Sequence, residues 1–216
     1  MSRHDAAQQR GATLIVVLLL LLLASALTLG GLRLLLIEQT IVSNEADRQR
    51  SFAAAQTLLA DAQADVVCQS CRATGAYQPP TTREAFTLLQ AAVSTSPLGC
   101  AQAICAPRHT QTRNDRFWTN VVPSSAFWAS GATLGQYTTT QDDSGGSLAG
   151  DASRARYWIE VWMNGTDATA SPAVVYRITA VAIGLKPGTR VVLQSLFLPP
   201  TSDAPARRVG WRELTQ

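Results

Sequence analysis

Histidine and lysine are almost missing from this chain. His4 and His109 are the only imidazoles, and Lys186 is the only lysine among 18 basic residues. Little is left for acid–base chemistry, and no nucleophile–base pairing, paired-carboxylate setting or phosphate-binding glycine loop occurs. An enzyme is not expected, nor is a cofactor. The net charge of +3 is not gathered into a basic cluster, so the footprint of a nucleic-acid binder is missing too. A calcium loop is the nearest thing to a metal site: Gln141-Asp142-Asp143-Ser144-Gly145-Gly146-Ser147 with Asp151 supplies carboxylates and carbonyls. It lacks the spacing and the terminal Glu of an EF-hand and reads as a flexible glycine-rich loop, so no metal is expected. His109, alone in a polar loop beside Arg108, has no second ligand at metal spacing.

Charge is lacking in a second, more telling way. After Gly11, the 21 residues Ala12 to Leu32 carry none, and ten of them are Leu. As a helix this run rises about 31 Å, the thickness of a bilayer's hydrocarbon core. Its polar groups, Thr13, Ser25 and Thr28, can bond back to carbonyls one turn earlier. Arg33, at the far edge, can snorkel to the headgroups. Three identities are open to such a run. A cleaved secretory signal has a shorter apolar region with a small-x-small site beyond it, whereas Ala24-Ser25-Ala26 lies inside this one. An uncleaved signal anchor fits the pattern, and so does a pilin-type leader cut after a glycine. Arg3 and Arg10 favour a cytoplasmic amino terminus, which sends the rest of the chain across the membrane.

The four cysteines fall into two local pairs, Cys68-x-x-Cys71 and Cys100-x4-Cys105. In a cytosolic chain the spacing suggests zinc. Beyond a membrane, disulfides persist, and disulfides are the expectation here. Three connectivities exist, and the spacing does not choose among them.

Proline and glycine are absent between Leu32 and Asp65, so the helix is expected to continue past the membrane. Phe52, Ala55, Leu59, Ala62 and Val66 recur at steps of three and four, an apolar stripe fit to lie on a sheet. Arg50, Gln56, Asp61, Gln63 and Asp65 fall off it. The turns from Glu38 to Arg50, with Glu45, Asp47 and Arg48, have little apolar face; they are assigned to the headgroup zone and to neighbouring subunits, with a solvated linker helix as the alternative. Thr81-Thr82-Arg83-Glu84 has the form of a capping box ahead of a short helix over 85–93. Residues 98–156 are loop-rich, with Trp118 and Trp128 read as core. Tyr157–Met163, Val174–Ile183 and Arg190–Leu198 read as three strands of an antiparallel meander that receives the stripe. Arg207, Arg208, Trp211 and Arg212 lie in a tail that is disordered or docks on a partner.

Gly11-Ala12-Thr13-Leu14-Ile15-Val16-Val17-Leu18-Leu19, followed by Glu38-Gln39-x-x-Val42-x-Asn44-x-x-Asp47-Arg48-x-x-x-Phe52-x-Ala54-Ala55, resembles the PilX family of type IV pilus minor pilins. That family has an RGA(A)LIVVLLLL start and a polar patch of the form E…N…DR…AFQAAE. Tyr157-x-Ile159-Glu160, Tyr176-Arg177-Ile178-Thr179-Ala180 and Val192-Leu193-Gln194-Ser195 are similar to its carboxy-terminal pattern YxIE…YRITAxxxG…VxLQS. The middle, about 66–155, carries no such match.

The resemblance implies an α+β fold, a long transmembrane-plus-amphipathic helix packed on a carboxy-terminal antiparallel sheet. It implies cleavage by prepilin peptidase between Gly11 and Ala12, with methylation of the new amine of Ala12. The parts are then a leader (1–11), a transmembrane and filament-core helix (12–33), its periplasmic continuation (34–67), a head (68–200) and a tail (201–216). The protein then helps prime pilus assembly, sitting single-pass in the inner membrane with its head in the periplasm, and at the pilus tip after assembly. Its implied partners are other minor pilins, the major pilin, a PilY-type tip adhesin, prepilin peptidase and inner-membrane lipid. One departure stands out. Most pilins have Glu as the fifth mature residue, and here that position is Val16. K-type pseudopilins of type II secretion share the loss and are the second reading, although they are usually longer. A bitopic periplasmic binding module with a permanent anchor is the third.

Overall fold

The computed structural model describes residues 4–68, 70–72, 76–94, 96, 99–106, 125–138, 147–165 and 172–215; within the first helix, side chains are described at 13–29, 31 and from 37 onward. Two compact units divide the chain, Met1–Ala46 and Asp47–Gln216. Helix α1 (His4–Val67) contributes to both.

In the first unit the apolar side chains from Leu14 to Leu29 are solvent-exposed. The polar side chains among them are satisfied inside the helix: Ser25 Oγ donates to the Leu21 carbonyl at 2.7 Å and Thr28 Oγ1 to that of Ser25 at 2.9 Å. Among the described residues no helix is long and apolar enough to cross a membrane. Ala12, Gly30 and Leu32, members of the uncharged run, are among the residues whose side chains are not described.

The second unit is a sheet with the end of α1 across one face. Its strands are β1 (Cys100–Ala101), β2 (Ile104–Cys105), β3 (Ala155–Met163), β4 (Val174–Ile183), β5 (Arg190–Leu198) and β6 (Arg207–Glu213). They lie in sequence order in one six-stranded sheet, antiparallel except for the β2–β3 pair. The three central strands are those that alternation predicts. Tyr157, Ile159, Val161, Tyr176, Ile178, Ala180 and Leu193 point to one face and meet Ala55, Leu58, Leu59, Ala62 and Val66 of α1 in a single core. Four of the five stripe residues are buried, and Phe52 is half-buried against Trp211, ring centroids 6.1 Å apart. On the other face Trp158, Val181 and Val192 form a second cluster with Cys100, Cys105, Leu214 and Phe127 of helix α3 (Ser125–Ala129). Phe127 stacks on Trp158 at 5.2 Å, and Trp128 meets it edge-on at 5.7 Å.

Helix α2 (Arg83–Ser94) turns Phe86, Leu89 and Val93 inward, at steps of three and four. Its cap lies one residue later than the expected box. Thr82 Oγ1 accepts the Ala85 N–H at 3.2 Å, so Thr82 is the N-cap, and the matching N3 position holds Ala85 rather than Glu84.

The compact unit starts at Asp47, and Ala54, Ala55, Leu58, Leu59, Ala62 and Val66 of α1 belong to its main core. The tail is not a separate segment, since Arg207–Glu213 pairs with β5 from Leu193↔Glu213 to Leu198↔Arg207.

Candidate functional site

Three carboxylates on α1 are buried: Asp47, Asp61 and Asp65. Their sequence positions suggested exposure, and the structure gives each a receiver on the head. Asp47 was expected among the neighbour-facing turns. Instead it accepts the N–H groups of Leu185 at 2.9 Å and Lys186 at 3.0 Å, in the β4–β5 turn. Burial pushes its carboxyl up, but those two N–H groups, the Thr189 hydroxyl and nearby Arg50 together hold it below the ordinary value of 3.8. Gly184 lets the turn come this close, since a Cβ there would collide with the Asp47 carboxylate and the Thr189 side chain. One residue on, Arg48 pairs with Glu213 of β6 at 2.7 Å.

Asp65 sits at the centre of a second network. Its two oxygens accept the Arg72 Nε and Nη2 donors at 2.9 and 2.6 Å, a bidentate pair with both side chains fully buried. Tyr157 Oη donates to the same carboxylate at 3.1 Å. Burial, reinforced by the charges of Asp65 and Asp61, pushes that phenol far above its usual range and keeps it a proton donor. The other Arg72 nitrogen, Nη1, donates to the carbonyls of Tyr77 at 3.0 Å and Gln102 at 2.9 Å. The guanidinium carbon lies 3.8 Å from the centre of the Tyr137 ring. Asp61 accepts the Gly135 N–H at 2.9 Å and the Thr138 hydroxyl. Through these contacts Arg72 and Tyr77, the β1–β2 hairpin at Gln102, and the stretch from Gly135 to Thr138 are tied to the last turns of one helix.

The cysteines close the loops that this network needs. Cys68–Cys71 and Cys100–Cys105 are disulfides, and no cysteine is free. The first closes the turn after α1 and delivers Arg72 back over Asp65, seven residues earlier. The second spans the β1–β2 hairpin, whose two-residue turn has positive φ at both Gln102 (50°) and Ala103 (66°). That turn normally takes Asn-Gly. The disulfide and the buried bonds to Gln102 and Ala103 hold it without either.

The sheet carries further polar pairs. Glu160, fully buried on β3, bridges to Arg177 directly opposite on β4. Gln194 donates to Thr179 at 3.1 Å and accepts from Arg212 at 3.2 Å. Ser195 receives the amide of Gln63 from α1 at 3.4 Å. Some residues that carried the sequence resemblance meet one another, and others reach residues outside those motifs. Glu160 meets Arg177, Thr179 meets Gln194, Asp47 meets the turn after Gly184, and Tyr157 meets Asp65.

Other expected positions are placed as follows. Gly11 and Ala12 are helical, with side chains that are not described, and Val16 is solvent-exposed in its unit. Trp128 donates its indole N–H to Ala152 O at 3.2 Å. Asp151 accepts Ser153 N–H and Oγ–H, and serves the turn ahead of β3. His109, Trp118 and residues 141–146 lie outside the described residues. No group of three or more His, Cys, Asp or Glu is placed to hold a metal among the described residues.

A helix laid across an antiparallel meander and fastened by buried carboxylates is the architecture of a pilin-like subunit, whose parts serve packing and presentation. Two family models match the chain, PilX N-terminal over residues 10–60 and the C-terminal part of the type IV pilus assembly protein PilX over residues 69–199. The chain belongs to the PilX family of type IV pilus assembly proteins, which are structural pilus components that interact with other pilus components. Neither a curated protein nor a solved structure matches it.

Proposed function

We propose that this minor pilin primes assembly of the type IV pilus and takes its place in the complex at the tip. The observation that carries the reading is Val16. If the leader is cut after Gly11, Val16 is the fifth mature residue, the place where pilins usually hold a glutamate. There a carboxylate neutralises the amino terminus of a neighbouring subunit, and an unpaired ammonium in the apolar filament core is costly. Valine cannot make the pairing, and a subunit with none ahead of it has no need of it.

In this reading prepilin peptidase cuts between Gly11 and Ala12, and the amine of Ala12 is methylated. The run from Ala12 to Leu32 anchors the protein in the inner membrane, with the head in the periplasm. On assembly the same run leaves the lipid and packs among the helices of other minor pilins and the major pilin. A PilY-type adhesin is the further partner. The polar side chains of the run that bond to their own helix are suited to both apolar surroundings.

Gold-labelled antibody against the head, applied to sheared pili, tests the placement. Label at one filament end supports it, and label spaced along the shaft contradicts it. Substituting Gly11 by a bulky residue is expected to block processing and remove the label; normal processing counts against the leader assignment.

A further inference from the structure

We propose that the free edge of β6 is a strand-addition site for an extended segment of another protein in which acidic and apolar residues alternate. Strand β6 ends the sheet among the described residues. Its backbone has groups to offer. Leu214 N–H donates to Val192 O at 2.9 Å, which sets the hydrogen-bonded pairs at 192/214 and 194/212. The alternation of an antiparallel ladder then turns the backbone N–H and C=O of Trp211 and Glu213 away from β5, toward an incoming strand.

The side chains select the occupant. Val209 and Trp211 are 61% and 49% exposed, and Trp211 lies on the α1 face, edge-on to Phe52. Arg212 lies on the opposite face, where it reaches Gln194, and beyond the bulge Arg207, opposite Leu198, lies on that face too, whereas Arg208 is opposite Phe197 of the main core. Arg207 and Arg208 have no ion-pair partner among the described residues, while the one acid of the strand, Glu213, is already paired with Arg48. Charge and the bulge at Val209, which has no residue opposite it on β5, are devices by which edges resist self-pairing. They do not resist an acidic strand. Such a partner lays carboxylates beside Arg207 and Arg212 and apolar side chains beside Trp211, and its main chain continues the ladder. The inference does not depend on a place at the tip.

The test uses the full chain in detergent micelles and two capped synthetic peptides, one alternating Glu and Val, the other Lys and Val. Amide hydrogen exchange at Trp211 and Glu213 is the readout. Several-fold slower exchange with the Glu–Val peptide alone, weakening as salt is added, is expected. The variant Arg207→Glu with Arg212→Glu is expected to lose that protection and to gain it with the Lys–Val peptide. Should its melting temperature fall, Arg207→Gln with Arg212→Gln reads the same loss without reversal. The proposal is overturned by unchanged exchange in the wild-type chain, by equal protection from both peptides, or by protection that appears without peptide as chain concentration rises.

Discussion

Asp65 is the residue on which the largest single loss of stability is expected. Its removal leaves the Arg72 guanidinium buried with no countercharge, and breaking such a pair costs about 3–5 kcal/mol. Asp65→Ala is therefore expected to lower the denaturation free energy by that amount, while Asp65→Leu with Arg72→Met recovers most of it, as read by urea titration. Asp47→Ala is expected to cost about 1.5–3 kcal/mol, the range for hydrogen bonds to a charged group. Its pH dependence has a definite sign. The folded carboxyl is held below its ordinary 3.8, so its contribution is in full force above that value and is lost as pH falls below it. Melting curves between neutral and acid pH are expected to show a shallower acid loss in Asp47→Ala than in the wild type. None of the three aspartates was legible as buried, because helical periodicity registers apolar residues and is blind to a carboxylate with a distant partner. The signal present was the motif itself: Asp47-Arg48 in the first half, and Tyr157, Glu160, Arg177 and Gly184 in the second. Across the two motifs the meeting is that of Asp47 with the turn after Gly184, and within the second Glu160 meets Arg177.

Elements differ in how plainly they can be read. β3, β4 and β5 announce themselves by alternation and β-branched residues, and the register of β4 with β5 follows from the compact turn between them. β6 does not, since three arginines and a glycine in Arg207–Glu213 give no apolar alternation. Its strand state comes from pairing with β5, a tertiary fact. The β1–β2 hairpin is equally hidden, as Gln102-Ala103 is not turn chemistry and only the buried contacts around it impose positive φ. For α2 the box pattern pointed to the right helix and the wrong cap. Thr82→Ala is expected to cost about 0.5–2 kcal/mol and Thr81→Ala close to nothing, measured by thermal or chemical denaturation. Opening the Cys100–Cys105 link by replacing both cysteines with Ser is expected to cost about 2 kcal/mol, as a short loop allows. An unchanged melt would mean that the hairpin stands on its buried bonds alone.

At the scale of the molecule, one helix serves two units with opposite surfaces. From Asp47 onward it is buried by its own sheet, while Leu14 to Leu29 expose one leucine-rich turn after another. A segment so apolar needs an apolar surrounding supplied from outside the chain, in lipid or among other helices. Membership of the PilX family supplies the setting, a pilus, and the proposed function turns on how the segment is released to enter it. The most direct measurement is the mass of the amino-terminal peptide of the protein recovered from its own cells. A chain beginning at Ala12 with a methylated amine is the predicted result; a chain still beginning at Met1 would contradict the account.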